Sequence, residues 1–201
     1  MPDPGPEVTL IRHGETSWSA RFRHTGRTDL KLSETGEAQA GMLRELLPER
    51  PFDVVATSPL RRAQDTAALA GLHVTDIVDD LREWDYGDLE GLTTPQIRQQ
   101  FPDWTIWSGP WPGGETALEA AERSDRVVAW ILGLPAETRV ALVAHGHILR
   151  VLAARWLGAE VTTGRMLALD TASVSELGWE HDRPVVRRWN LTVGSLRVTT
   201  G

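Results

Sequence analysis

Val8-Thr9-Leu10-Ile11-Arg12-His13-Gly14 is a short apolar run, rich in β-branched residues, that ends in a charged pair and a glycine. A strand buried on both faces needs such a run, and the glycine marks its turn into a loop. The plan recurs at Val54-Val55-Ala56, which gives way to Thr57-Ser58-Pro59, and at Val140-Ala141-Leu142-Val143-Ala144, which gives way to His145-Gly146-His147. Segments of helical length come after these runs. Ser58 is suited to cap a helix with Pro59 at its first position, where a missing N–H costs nothing, and that helix runs toward Gly71. Ile148 through Leu157 is an apolar helix closed by Gly158. Ser33 opens a helix that stops before Pro48, Thr94 and Pro95 start a short one, and Thr116 to Leu132 carries an amphipathic one ending near Gly133.

Helices alternating with buried strands predict an α/β fold, a three-layer α/β/α sandwich around a mostly parallel sheet. Met166-Leu167-Ala168-Leu169, Val174 to Leu177 and Val185-Val186 are expected to add strands, antiparallel at one edge. Ligands of such sheets bind beyond the carboxyl ends of the strands. Those ends deliver His13, Ser58 with Arg61 and Arg62 just beyond, and His145.

A length of 201 residues suits one domain, taken here as 7–201 after a loose tail at 1–6 (Pro2-Asp3-Pro4-Gly5-Pro6). The tail lacks the basic-then-apolar plan of a signal peptide, and charges interrupt every apolar run, so a cytoplasmic protein without a membrane span is expected. The absence of cysteine excludes disulfides, thiolate nucleophiles and sulfur-ligated zinc. A net charge of −7 argues against nucleic acid or an anionic membrane as partner. Lys31 is the only lysine, so arginine abundance alone carries no message. Oligomeric state is not legible, and a homodimer is kept open.

Displacement at a phosphate ester needs an in-line nucleophile, cations around the equatorial oxygens and a proton for the leaving oxygen. His13, at a strand end, has the chemistry of the nucleophile, with Gly14 beside it to let phosphate approach the backbone. Arg12 and Arg62 offer forked donors for the oxygens, and His145 could donate to the same group. Glu83 lies beside Trp84, where burial against indole would favour its protonated form and make it a general acid. Taken singly, each residue also has a plain reading as a turn, strand-end or solvated loop residue. His73 and His181 lie away from these blocks and receive no role. Four further histidine positions, 13, 24, 145 and 147, could hint at a metal, but the neighbouring arginines would repel a cation, so neither metal nor cofactor is expected.

With these blocks in hand, the sequence resembles the histidine phosphatase superfamily, also called phosphoglycerate mutase-like. Arg12-His13-Gly14-Glu15-Thr16 followed by Trp18 looks like its signature, and Thr57 to Ala67 like its second block. Leu81 to Gly91 resembles the acid-bearing block, and Val143-Ala144-His145-Gly146 the last. The resemblance implies that His13 is phosphorylated, Glu83 donates the proton, and Arg12, Arg62 and His145 form the phosphate pocket. Ser19 stands where many members have asparagine. The Trp18-Ser19 pair, the segment at 24–26 and the blocks at 83–87 and 144–147 look most like two branches, the mycobacterial-type broad-specificity acid phosphatases and the sedoheptulose bisphosphatases. By that resemblance His24, Thr25, Gly26, Tyr86 and His147 line the substrate pocket, joined by Gly14, Ser19 and Gly146.

The expected activity is thus a metal-independent phosphomonoesterase with a phosphohistidine intermediate, acting on a small phosphorylated substrate such as a sugar phosphate or bisphosphate, with an acidic optimum. The rivals are a cofactor-dependent phosphoglycerate mutase and a noncatalytic member that binds a phosphorylated ligand. The tryptophan-rich loop at 101–115 is either a lid over the site or simply packed on the core.

Overall fold

The computed structural model describes residues 5–196. Its six strands are β1 (Glu7–Arg12), β2 (Val54–Thr57), β3 (Asp76–Ile77), β4 (Arg139–Ala144), β5 (Val174–Glu180) and β6 (Arg183–Leu191), and the main helices are α1 (Glu34–Met42), α2 (Arg61–Leu69), α3 (Thr94–Gln100), α4 (Ala117–Leu132) and α5 (Gly146–Trp156). They form one sheet in the order β3-β2-β4-β1-β5-β6. The first four in that order run parallel, whereas β5 is antiparallel to β1 and β6 to β5. The sheet is therefore mostly parallel with an antiparallel edge, as the alternation of elements implied.

Strand β4 is buried along its whole length, and its side chains alternate between two cores. Val140, Leu142 and Ala144 join Ile131 of α4 and Ile148 and Leu152 of α5 on one face. Ala141 and Val143 join Ile11, Val55 and the alanines Ala63 and Ala67 of α2 on the other. A continuous apolar strand is what two covered faces demand, and the result is three layers. No helix among the described residues is long and apolar enough to cross a membrane.

Helix boundaries obey local chemistry. The Ser33 hydroxyl accepts from the Gly36 amide at the start of α1. Capping boxes at Thr93/Gln96 and Thr116/Glu119 open α3 and α4. Gly71 and Gly158, with φ of 75° and 67°, come after α2 and α5 in the left-handed region.

Two sequence expectations are corrected. Ser58 does not cap α2: the helix begins only at Arg61, with Leu60 as its cap and no side-chain bond there, and the Ser58 hydroxyl accepts instead from the Leu60 amide at 3.3 Å and from His145 at 2.8 Å. Residues 166–169 are not a strand: a 3₁₀ turn over Val161–Met166 carries the chain back across α5, and Leu169 is buried without pairing. The two-residue β3, exposed and mostly uncovered by apolar side chains, offered no period to detect. Of the tail, residues 1–4 lie outside the described residues, while Gly5 and Pro6 are buried, with the Trp179 indole donating to the Pro6 carbonyl.

The turn after β1 depends on two glycines in contact. A Cβ on Gly14 would lie 2.4 Å from the Gly36 carbonyl oxygen, and one on Gly36 would lie 2.0 Å from that of Glu15. Gly14 is thus needed for backbone packing against the start of α1, a tighter demand than the phosphate approach foreseen for it. Gly36→Ala is expected to cost about 3 kcal/mol, since the clash is with main chain on both sides and no side chain can yield. Urea unfolding measures this; an unchanged midpoint would mean the two backbones separate freely.

Candidate active site

Adjacent parallel strands lie about 4.8 Å apart, so the carboxyl ends of neighbours β2, β4 and β1 place the next residues of each chain segment side by side. The ladder continues past each end: Ser58 N–H donates to the Val143 carbonyl, and His13 N–H to that of Ala144. The His13 carbonyl in turn accepts from Ala172. His13 and Ser58 are thereby fixed by backbone bonds before any side-chain contact is counted, and the His145 carbonyl accepts from the Leu149 amide as α5 begins.

His13 donates from Nδ1 to the Gly14 carbonyl at 2.7 Å, since a carbonyl can only accept. Nε2 therefore carries the lone pair, and it has no protein partner among the described residues. Burial, then the charges of Arg62 and Arg12, hold His13 well below the ordinary histidine pKa. The imidazole is neutral at and below neutral pH. His145 stands edge-on to it at 5.0 Å between ring centroids. Arg62 donates from Nε to His145 Nδ1 at 3.0 Å, so His145 Nε2 carries the proton and gives it to Ser58 Oγ.

Arg62 is fully buried, and its remaining donors reach the carbonyls of Thr25, Gly26 and Thr28. Arg12 donates to the Leu169 carbonyl, and its buried Nε has no partner among the described residues. An unmet N–H of that kind costs about 1–3 kcal/mol unless a ligand satisfies it. Gly146 makes room for this guanidinium, because a Cβ there would lie 3.2 Å from Arg12 Cζ.

Glu83 is 7% exposed. Its carboxyl accepts from the amides of Trp84 and Ile148, both at 2.9 Å, and His147 at 3.0 Å. His147 and Ile148 belong to the first turn of α5, which has no side-chain cap of its own, so Glu83 supplies the acceptor that turn lacks. The sequence reading placed Glu83 against indole alone; the amides orient it more firmly. Its segment is clamped by Arg123, which pairs with Glu115 at 2.5 Å and donates to the carbonyls of Asp80 and Arg82.

A cavity of about 330 Å³ opens beyond these strand ends, and Arg12, His13, Ser19, Glu83, Gly146 and His147 are in its wall. His24, Thr25 and Tyr86 line it too. Arg62, His145, Gly14 and Gly26 do not: each is one layer behind. Gly26 packs under Trp84 and Tyr86, where a Cβ would lie 2.8 Å from the Trp84 carbonyl oxygen. Ser19 accepts from the Thr16 amide at 2.8 Å and so closes its own turn at the rim.

Thr16, Phe22, Arg23, Thr94, Arg150 and Leu169 also line the cavity and were not foreseen. Nor was Glu90, whose carboxylate accepts from the amides of Gly26, Arg27 and Thr28 and shapes the loop that holds Arg62. Its place in the block ending at Gly91 was the one signal for it. Arg61, exposed and paired with Asp65, points away, and His73 and His181 are exposed and remote from the cavity wall.

The 101–115 loop is packed on the core. Trp104 is 2% exposed and donates to the Pro110 carbonyl, and Trp111 donates to that of Ile106. The same loop also buttresses the site: Trp104 lies edge-on to His24, and Trp107 is 5.5 Å from His147. Tyr86 O–H and His147 Nδ1 share a 2.6 Å hydrogen bond.

Burial lowers His24 to about 4, and burial with nearby cations lowers His145 and His147 well below the usual value. The folded state therefore favours neutral forms of all four site histidines. Their stabilising effect is complete above the unfolded value near 6.5 and is lost as pH falls below it, at up to about 1.4 kcal/mol per pH unit for each histidine. Urea midpoints should accordingly drop between pH 7 and pH 5. A midpoint that rises over that interval would contradict the burial of these rings.

Residues 8–192 match the model of the histidine phosphatase superfamily (branch 1). An acid phosphatase of Mycobacterium tuberculosis is 45% identical over 87% of this chain and 87% of its own. Sedoheptulose 1,7-bisphosphatase of Saccharomyces cerevisiae is 34% identical over 80% of this chain and 71% of its own. The solved structure of the product of the Mycobacterium tuberculosis open reading frame Rv3214 superposes with a TM-score of 0.89 at 42% identity, covering 92% of this chain and 97% of that one. With the strand-end histidines, the arginines and the acid on one end of the same sheet, the chain belongs to the histidine phosphatase superfamily, branch 1.

Proposed function

We propose that the protein is a metal-independent phosphoric monoester hydrolase that passes the phosphoryl group through His13. One observation carries the reading: the partnerless Nε2 of His13, the unmet Nε–H of Arg12 and the carboxyl of Glu83 belong to residues that face one cavity. In the first half-reaction the Nε2 lone pair attacks phosphorus, the ester P–O bond breaks, and Glu83 gives its proton to the leaving oxygen. Water then attacks phospho-His13, Glu83 takes the water's proton, and the N–P bond breaks to free inorganic phosphate.

Arg12 supplies forked donors to the equatorial oxygens, which answers its unmet N–H. Arg62 and His145 act from behind. Arg62 adds positive charge and fixes the loop at 25–28, and His145, held by Arg62 and Ser58, fixes the angle of the His13 ring. A lowered His13 pKa keeps the lone pair available on the acid side of neutrality, so the nucleophile sets no barrier to the acidic optimum that a protonated Glu83 requires.

The substrate is a small phosphomonoester. The names of the acid phosphatase and the bisphosphatase relatives support sugar phosphates or bisphosphates among the candidates. Incubation with 3-phosphoglycerate and a trace of its bisphosphate tests the reading. Free phosphate is the expected product, whereas accumulation of the 2-isomer would replace the hydrolase with a mutase. A rapid denaturing quench should trap labelled phosphoenzyme that is stable in alkali and lost in acid; a protein that only binds its ligand would never label.

A further inference from the structure

Phe22 lines the catalytic cavity and is 84% exposed, the most exposed large hydrophobic residue among the described residues. Its backbone is left-handed, with φ 55° and ψ 29°, a conformation that glycine takes freely and a β-carbon disfavours. Two unfavourable features thus coincide in one residue, an apolar ring held in water and a strained backbone. Neither is relieved by packing within the chain.

The local structure holds that ring in place. Phe22 closes the 3₁₀ turn Ser19–Arg21, its amide donating to the Ser19 carbonyl. Ser19 is tied to Thr16 through both backbone and hydroxyl, and Thr16 is buried three residues after His13. The rim aromatic is therefore short-tethered to the strand end that carries the nucleophile. Opposite chemistry lines the floor, where Arg12, His13 and Glu83 receive the phosphoryl group. A phosphomonoester seated on that floor directs its leaving group outward, past the rim.

We infer that Phe22 is a specificity-determining residue whose ring covers the leaving group, and that the site favours phosphomonoesters with a flat aromatic or extended apolar leaving group over small polar ones. The inference rests on the phosphatase reading of the site. Stacking of one aromatic pair is enough to shift a preference by roughly 5-fold.

The test compares wild type, Phe22→Gly and Phe22→Asn on 1-naphthyl phosphate and glycerol 2-phosphate. Both replacements accept a left-handed backbone, so the fold is retained, and asparagine separates loss of the ring from added backbone freedom. In both variants the ratio of kcat/KM for naphthyl over glycerol phosphate is expected to fall about 5-fold, through KM. An unchanged ratio overturns the inference while leaving the hydrolase intact. Calorimetric binding of naphthylmethylphosphonate and methylphosphonate gives the same comparison without turnover. If no ester is hydrolysed at all, the phosphatase reading fails, and a naphthyl-selective loss of affinity in both variants still upholds the role of Phe22; equal affinities overturn it.

Discussion

His13→Ala is expected to lower turnover of every phosphomonoester by about 10⁴-fold or more and to abolish phosphoenzyme labelling, because the proposed covalent step runs through its Nε2 lone pair. The variant should fold normally. The backbone of His13, not its ring, bonds to Ala144 and Ala172, and the ring makes one hydrogen bond, to its neighbour Gly14. Circular dichroism and the urea midpoint should thus stay close to wild type while activity vanishes. Activity within tenfold of wild type would mean that water attacks phosphorus directly and that the phosphohistidine step does not exist. A chelator gives the companion result: EDTA is expected to leave wild-type turnover unchanged, and a loss reversed by a divalent metal would transfer the chemistry from His13 to a bound cation.

The floor of this site was legible because strand ends are. Three apolar runs that each break at a polar residue identify three neighbouring strands. Neighbours in a parallel sheet bring their carboxyl-end residues together, so His13, Ser58 and His145 could be grouped before any coordinate. Their partners were less legible. Ser58 has the composition of a helix cap, yet α2 starts three residues later and the hydroxyl also accepts from a ring 87 residues away, a contact that no local pattern records. His145 and Arg62 have the chemistry of phosphate donors, but Arg62 spends its donors on the 25–28 loop, so both stand behind the wall instead of in it. Glu83 was found from its block, whereas two of its three amide donors, those of His147 and Ile148, depend on where α5 begins relative to a segment 64 residues earlier. The rim was the least visible part. Phe22 lies in a stretch without apolar period, Arg150 is a charge within the largely apolar helix α5, and only the closing of the chain brings them to one cavity. The edge of the sheet failed for a related reason. Met166 to Leu169 has strand-like composition, but the chain crosses α5 in a tight turn there and finds no neighbouring edge to pair with.

Glu83→Gln separates the two jobs given to this carboxyl. Glutamine keeps one oxygen, which can still accept from Trp84 and Ile148, but its nitrogen would meet the His147 amide, donor against donor. Some stability is lost on that account, about 1–3 kcal/mol. Glu83→Ala would strip all three amides of their acceptor and leave the first turn of α5 bare, so the glutamine variant is the sharper probe. A sugar phosphate has a leaving oxygen that must be protonated as it departs, and its kcat is expected to fall about 10²- to 10⁴-fold. Nitrophenolate leaves without a proton, so phosphorylation of His13 by nitrophenyl phosphate should survive within about tenfold. Turnover of that ester should slow nonetheless, because the second half-reaction needs Glu83 to accept a proton from water. The variant is therefore expected to release a burst of about one nitrophenolate per active site and then stall with phospho-His13 accumulated, whereas a sugar phosphate gives no burst. Distortion of the site alone would slow phosphorylation by both esters to the same degree. Equal slowing, without a burst, would remove Glu83 from the proton path and leave it only the task of capping α5.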